Sequence, residues 1–405
     1  MNRRNLTLIG MFLAHFAGSC HRKAPPALQP TDAGLSAAIR PRSLPWAATR
    51  TAPQIELAAT LTAESPLQSP PAAPVGCSLD GPVRSLPLAT EAVVAFATAA
   101  SGARTLLALS TAQSSALWMV TGDGTLESLV PPFGAHSPVV AAGLSRGLAV
   151  AGTIEHASEQ RETRLGLVGD NGQRLLFGVA RRYRGSVVDL ACSSTRDRVC
   201  VLAIEGRDEF AIEDELRGEF REFAFSTDDS LVERSVTRTR QPPLGAAVDR
   251  SFMGLVRERG AVASVDRRGQ IVGLGANVTE AQAVDGAWWL VRALAPTVAP
   301  CQPSQWQLRS ENASERMPSV DAANLDQRPS RVKLRWSGSR ANEALLVFRS
   351  SPQCAANLQV LEAVRQGQRV TLSRASEFDL AVDHALVSLV WRDGERLRWA
   401  RYRCE

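Results

Sequence analysis

Residues 283–291, AVDGAWWLV, recur in altered form at two other places in the chain. Residues 247–256 read AVDRSFMGLV, and residues 381–390 read AVDHALVSLV. In each copy the apolar pair Ala-Val directly precedes an Asp, and a second apolar run follows a few residues later. Two short apolar runs separated by turn-forming residues are typical of a β-hairpin. The repeat therefore predicts that one antiparallel hairpin recurs along the chain.

Looser relatives of this stretch extend the pattern in both directions. Comparable strand starts lie near residues 93, 139, 187, 245, 281, 332 and 378. Their mean step of about 48 residues matches a repeat of four strands. The second unit shows all four, as VVAAGL, LAVAGTI, TRLGLVG and QRLLFGV. Because one such unit cannot bury both of its faces alone, neighbouring units are expected to stack.

In period and strand count, residues 77–405 resemble the β-propellers. The resemblance implies an all-β fold of seven four-stranded blades, with six blades, a pair of β-sandwiches or an irregular β-solenoid as alternatives. The chain lacks the Trp-Asp, double-glycine and calcium-loop signatures of individual propeller families. Residues 210–223, FAIEDELRGEFREF, are the one stretch with a helical period, and they could instead be a loop that enters a strand.

The seventh unit has only three predicted strands before the sequence ends. These are FDLAV, ALVSLVW and RLRWARYRC, the last of which ends at Cys404. The segment that opens at Cys77, CSLDGPVRSLPL, precedes the first unit and has no blade of its own. We therefore predict that it supplies the missing outer strand, with a Cys77–Cys404 disulfide where other blades have a turn.

The remaining cysteines fit two further disulfides in an oxidising compartment. Cys192 and Cys200 flank a short predicted turn, so they lie opposite each other across a hairpin. Cys301 and Cys354 each follow the second strand of adjacent units, which predicts a bridge between neighbouring blades.

The N-terminus has the layout of a secretory signal. Arg3 and Arg4 precede the apolar run LTLIGMFLAHFA, which is too short to span a bilayer. Residues 17–20, Ala-Gly-Ser-Cys, resemble a bacterial lipobox, although Ala17 stands where leucine is usual. This resemblance implies cleavage after residue 19, lipidation of Cys20 with diacylglycerol and a fatty acyl chain, and, with His21 following, sorting to the outer membrane. An ordinary signal peptide with a chance cysteine is the alternative.

Composition separates a tether from the folded part of the chain. Residues 20–76 are rich in Pro, Ala, Thr and Ser without a strand or helix period, which predicts a disordered tether. A structured N-terminal subdomain is the alternative. The net charge of +5 includes two arginines of the signal, and the other basic residues are interleaved with 41 acidic ones. No basic face for nucleic acid is therefore predicted.

Two sequence patterns resemble functional motifs. Gly143-Leu-Ser145-Arg-Gly147 matches a hydrolase nucleophile elbow, but a strand rather than a helix follows it, so Ser145 is interpreted as a turn residue. Asp249, Asp285 and Asp383 recur in the repeat and are either turn residues, which is favoured, or a ring of ligand-binding carboxylates.

Aromatic and histidine residues give weaker signals. Trp288 and Trp289 are adjacent in a predicted strand and point to opposite faces, so one could be an exposed binding residue, although burial of both is favoured. No histidine has metal-ligand spacing, and no catalytic residue, metal or cofactor is predicted.

These features favour a membrane-attached module of the bacterial cell envelope that binds a protein or glycan partner or acts as a scaffold. The rival hypothesis is a propeller-type hydrolase or lyase with an axial active site. Fold alone does not separate them, because propellers host both kinds of function.

Overall fold

The computed structural model describes the C-terminal part of the chain. It describes residues 72–405 except 88–92, 123–124, 130, 132, 136, 145–146, 156–160, 169–174, 194–198, 208–216, 226–230, 250, 277, 285–286, 294–302, 311–319, 324–331, 337–343, 351–359, 376 and 395. Every regular element within these ranges is a β-strand. No helix there has the length and apolar character needed to cross a bilayer.

All the strands pair antiparallel. Sheet 1 contains β3 (Val93–Ser101), β4 (Arg104–Thr111), β5 (Ser115–Val120) and β6 (Leu126–Leu129). Sheet 4 contains β14 (Pro243–Ala246), β15 (Phe252–Glu258), β16 (Ala261–Asp266) and β17 (Ile271–Gly275). Sheet 5 contains β18 (Val278–Val284), β19 (Ala287–Ala293), β20 (Pro303–Ser310) and β21 (Val320–Ala323). Sheet 6 contains β22 (Val332–Trp336), β23 (Ala344–Ser350), β24 (Val360–Arg365) and β25 (Gln368–Arg374).

A seven-stranded sheet lies between sheets 1 and 4 in chain order. Its strands are β7 (Val139–Leu144), β8 (Gly147–Glu155), β9 (Arg161–Val168), β10 (Leu175–Cys192), β11 (Val199–Arg207), β12 (Arg217–Phe225) and β13 (Leu231–Thr239). The first half of β10 pairs with β9, and its second half, from Arg184, pairs with β11. The sheet therefore has two four-stranded parts, called sheet 2 (β7 to the first half of β10) and sheet 3 (the second half of β10 to β13).

Sheet 7 joins the two ends of the described chain. It contains β26 (Glu377–Asp383), β27 (Leu386–Asp393) and β28 (Arg396–Cys404), completed by β1 (Cys77–Leu79) and β2 (Arg84–Pro87) from the N-terminal side. Both short strands pair with β28, and Cys77 lies opposite Cys404. The prediction that the segment after Cys77 supplies the missing outer strand is confirmed.

Four of the seven strand starts expected from the sequence agree with the structure to within one residue, whereas β14 and β18 begin at 243 and 278 instead of 245 and 281, and residue 187 lies inside β10. Strands β3, β7 and β22 begin at residues 93, 139 and 332, and β26 begins one residue before the expected 378. The helical alternative for residues 210–223 is wrong for its described part, because β12 begins at Arg217. Phe220 of this strand packs in the cluster between sheets 3 and 4, and Phe223 packs in the cluster between sheets 2 and 3.

The hydrophobic core lies between successive sheets. Apolar clusters fill the interfaces of sheets 1 and 2, 2 and 3, 3 and 4, and 4 and 5. Others join sheet 6 to sheet 7 and sheet 7 to sheet 1. Sheets 5 and 6 contact through β18 and β22. Because neighbours cover both faces of a sheet, strands such as β4, with sequence RTLLALST, are buried along almost their whole length.

Candidate functional site

Two of the predicted disulfides are present. Cys77 and Cys404 are bonded with Cα atoms 3.9 Å apart, and the bond joins residues 327 positions apart in sequence. Cys192 and Cys200 are bonded across the hairpin of β10 and β11, with Cα atoms 4.1 Å apart. The other predicted pair, Cys301–Cys354, lies outside the described residues, as does Cys20.

Polar contacts surround the Cys77–Cys404 bond. The Asp80 carboxylate lies 2.7 Å from Nε of Arg401, whose Nη1 also donates to the carbonyl of Ala103 in sheet 1 at 2.9 Å. The Glu405 backbone N–H donates to the Gly76 carbonyl at 2.9 Å. Residues 76–80 are therefore held to β28 of sheet 7 by the disulfide, an ion pair and hydrogen bonds. Arg401 also joins sheet 7 to sheet 1 through its hydrogen bond to Ala103.

A buried arginine contacts residues that precede residue 77, the expected start of the folded domain. Arg365 of sheet 6 is only 2% exposed and donates to the carbonyls of Val75 and Glu405, at 2.9 and 2.7 Å. Gly76 has φ +67°, and a Cβ there would lie 2.5 Å from Nη1 of Arg365. Both the backbone conformation and the close guanidinium therefore require glycine at this position. The packed part of the chain includes residues 72–76.

Asp383 is placed at the junction of sheets 7 and 1. One of its carboxylate oxygens accepts a hydrogen bond from the backbone N–H of Gly102, which follows β3. The other oxygen lies 3.7 Å from Nε2 of the exposed His384. Four residues earlier on the same strand, buried Asp379 accepts from the backbone N–H of Thr98 at 2.7 Å. Two carboxylates of β26 therefore hold the backbone of β3.

The same contact occurs between sheets 3 and 4. Asp189 on β10 accepts from the backbone N–H of Ala246 at 2.8 Å. Asp189 and Asp379 both begin an Asp-Leu-Ala triplet in the first strand of their sheets. The Ala-Val-Asp repeat does not include this triplet, so it did not indicate these residues. A shared Asp-Leu-Ala at matching strand positions was the signal that could have found these inter-sheet acceptors.

Asp249 is in a different setting from Asp383. Strand β14 ends at Ala246, so Asp249 lies in the following loop, where its Oδ1 accepts from the Ser251 backbone N–H at 2.8 Å. This is the short-range contact of a turn residue. Asp285 lies outside the described residues. Asp249 and Asp383 therefore make different kinds of contact, one within a turn and one between two sheets.

Both tryptophans of the adjacent pair are buried. Trp288 is 1% exposed and packs on Phe252 of sheet 4 with ring centroids 5.3 Å apart, and Trp289 is 9% exposed. The exposed binding residue considered from the sequence is therefore absent at this position, because both faces of sheet 5 are covered where the indoles lie.

The Gly-x-Ser-x-Gly stretch connects two strands. Strand β7 ends at Leu144 and pairs antiparallel with β8, which begins at Gly147. Ser145 itself is outside the described residues, but the strand-to-helix turn that a nucleophile elbow requires is not formed here. Gly143 has a packing reason instead, since a Cβ would lie 1.9 Å from the Ala100 carbonyl oxygen in sheet 1.

No group of three or more His, Cys, Asp or Glu side chains within the described ranges is arranged to hold a metal ion. The described carboxylates discussed above each accept a backbone N–H hydrogen bond or form an ion pair. Their geometry stabilises contacts between sheets and turns, and it does not present a matched acid and base.

No protein-family model matches this chain, and no curated protein matches it either. Among solved structures, a streptogramin B lyase is 8% identical over 80% of this chain and 97% of its own, with a TM-score of 0.42. The β-propeller domain of the Trilobed protease from Pyrococcus furiosus is 10% identical over 76% and 93%, also at 0.42. The fucose-specific lectin from Aleuria aurantia is 9% identical over 78% and 93%, at 0.35. At these TM-scores the similarities carry no argument about activity or ligand.

Proposed function

We propose that this chain is a seven-bladed β-propeller attached to a bacterial envelope membrane through a lipid on Cys20, and that it acts there as a binding or scaffold module. The circular order of contacts carries the proposal. Sheets 1 to 7 contact one another in chain order, and β26 of the last sheet contacts β3 of the first. A blade closed by strands from both chain ends is the usual device that joins the last blade of a ring to the first.

The use of the carboxylates supports a module rather than an enzyme. Asp379 and Asp189 accept hydrogen bonds from backbone N–H groups of the next sheet. Asp249 and Asp383 also accept hydrogen bonds from backbone N–H groups, those of Ser251 and Gly102. A general acid or base needs a carboxylate that can reach a substrate proton. The rival axial enzyme site has weaker support because Asp249 and Asp383, two of the three aspartates suggested for it, make contacts that stabilise the fold.

Attachment is tested by replacing the proposed lipid acceptor. Cys20→Ser should abolish labelling by a fatty-acid probe and release the protein from the membrane pellet, because several acyl chains on one residue are needed for stable anchoring. Cys192→Ser is the matched control, since it removes a cysteine elsewhere and should keep the label. Unchanged labelling of Cys20→Ser would refute the lipid anchor.

The module function is tested by two assays on the same preparation. Affinity capture from envelope extracts should recover a protein or glycan that binds in a saturable manner. A parallel screen on glycans and esters should show no turnover. Turnover that is lost on replacing Asp249 or Asp383, with thermal stability retained, would favour the enzyme instead.

A further inference from the structure

The interface between sheets 4 and 5 has an arginine whose charge the described residues leave uncompensated. Arg292 on β19 is partly buried, and its Nη2 donates to the Leu274 carbonyl. Its Nε is shielded from solvent and has no hydrogen-bond partner. A buried donor of a charged group without an acceptor is costly, and it is normally satisfied by an anion or an ordered water.

A second arginine, Arg257, faces the same interface at a strand position equivalent to that of Arg292. Leu255 and Leu290 belong to the apolar cluster between sheets 4 and 5, and Arg257 and Arg292 each follow two residues later on the same strand face. Arg257 lies opposite Val262, and Val262 lies opposite Gly275. A Cβ on Gly275 would be 3.5 Å from Nη2 of Arg292. The two side chains therefore flank one end of the cluster.

A third arginine stands at the adjacent turn in a conformation that disfavours it. Arg259 has φ +49° and Gly260 φ +83°, between the paired residues Glu258 and Ala261. A hairpin turn with two positive φ angles favours Asn-Gly, and most side chains in that conformation are strained. Arg259 is exposed, so its guanidinium extends beyond the end of the hairpin.

The nearby acidic residues do not neutralise the charges of these three arginines. Glu258 alternates with Arg257 along the strand and so points to the opposite face. Glu280 pairs with Arg335 of sheet 6, at 3.6 Å. No described carboxylate forms an ion pair with Arg257, Arg259 or Arg292.

We propose that Arg257, Arg259 and Arg292 form a binding site for a phosphate group at the end of the interface between sheets 4 and 5. Planar guanidinium groups bind phosphate oxygens through paired, charge-assisted hydrogen bonds. The partly buried Arg292 orients one such fork, and the exposed arginines admit a ligand from solvent. The phosphate is either free or carried on a lipid headgroup. The site does not depend on the membrane attachment proposed above.

The first arm of the test uses inorganic phosphate with the full chain carrying Cys20→Ser, so that no attached lipid contributes. Calorimetric titration should show saturable binding at an ionic strength matched with sodium chloride. Arg257→Gln and Arg292→Gln should each weaken phosphate binding roughly tenfold or more, since each removes a charge-assisted hydrogen bond. Arg268→Gln, at the opposite turn of sheet 4, is the charge-matched control and should bind normally.

Arg259→Asn separates binding from stability. Asparagine suits the positive φ, so this variant should unfold at a higher temperature and yet bind phosphate more weakly. Gln366→Asn is the matched control, because Gln366 has φ +52° before Gly367 at a comparable turn of sheet 6. It should gain stability with phosphate affinity unchanged.

The second arm distinguishes the sources of phosphate. Vesicles of phosphatidylcholine with phosphatidic acid are sedimented with the same proteins, against vesicles of phosphatidylcholine alone. Selective sedimentation that Arg257→Gln abolishes would assign the site to a lipid headgroup, and phosphate binding without sedimentation would assign it to free phosphate. Absence of binding in both arms, or equal loss in Arg268→Gln, would overturn the proposal.

Discussion

At the scale of single residues, the aspartates of the repeat have separate tasks that depend on their position relative to the strand end. Asp249 closes a local turn, whereas Asp379 and Asp383 reach the backbone of another sheet. The sequence predicts the first kind because a turn contact spans two residues. It could not predict the second, since the acceptor and donor of the Asp379 bond are 281 positions apart.

Asp379→Ala should lower the free energy of unfolding by about 1.5–3 kcal/mol, because it leaves the Thr98 N–H without its charged acceptor. Asp249→Ala, which removes a partly exposed turn contact, should cost only about 1 kcal/mol. Urea unfolding of both variants measures the difference. Asp379→Asn keeps an acceptor oxygen and should recover part of the loss, and equal costs for the two Ala variants would contradict the inter-sheet role.

Gly143→Ala should destabilise the fold strongly, because the added methyl would overlap the Ala100 carbonyl, which belongs to a strand of another sheet and cannot move independently. Gly273→Ala is the matched control, since a Cβ there meets nothing within 4 Å. Thermal unfolding should show a loss for the first variant and little change for the second. A catalytic explanation of the glycine predicts no such difference in stability.

At the scale of elements, strand periods and turn residues predicted four of the seven strand starts to within one residue, because each hairpin is encoded within a few dozen residues. The start of β12 was ambiguous, since charged residues alternate there with buried aromatic ones on an interior strand. Sequence also did not predict that β10 runs unbroken from sheet 2 into sheet 3. Whether one strand continues into the next sheet depends on the relative orientation of the two sheets, which the local sequence does not determine.

Strand β28 gives a prediction for alkaline pH. Burial raises the pKa of the Tyr402 hydroxyl, so the folded chain retains this proton over a range in which the unfolded chain loses it. The resulting stability is fully present below about pH 10, the usual tyrosine value, and is lost as pH rises above it.

Urea unfolding across that range should show the free energy of unfolding falling with pH. Tyr402→Phe should have a shallower slope, because the titrating group is gone. Parallel slopes in the two proteins would show that other groups cause the alkaline loss.

At the scale of the whole molecule, the ends of the described chain meet in one sheet. The unfinished last repeat and the unassigned segment after Cys77 together predicted this meeting, so long-range topology was accessible from strand counting. Arg365 and Arg401 were not predicted as contributors, because neither lies in a recurrent motif. Their contacts with Val75 and Ala103 join residues that are 290 and 298 positions apart in sequence, which a local pattern does not encode.

The two disulfides should differ in their effect on stability. In the chain-entropy account, closing a loop of 327 residues contributes about 6 kcal/mol, as an upper figure, against about 2.5 kcal/mol for the eight-residue Cys192–Cys200 loop. Cys77→Ser with Cys404→Ser should therefore unfold at a lower temperature than Cys192→Ser with Cys200→Ser. Peptide mapping without reduction should first find the Cys77 and Cys404 peptides joined, and a different partner for Cys77 would contradict the structure.

The position of the Cys77–Cys404 bond also decides how the protein responds to mechanical force. Tension applied through the N-terminal part of the chain reaches Cys77, the first residue of β1, before the rest of that strand, and the covalent bond passes the load to the end of β28. Without that bond, the three-residue β1 would peel away one hydrogen bond at a time. With it, the load passes to β28, which is paired with β27 at eight positions, from Leu386–Arg403 to Asp393–Arg396.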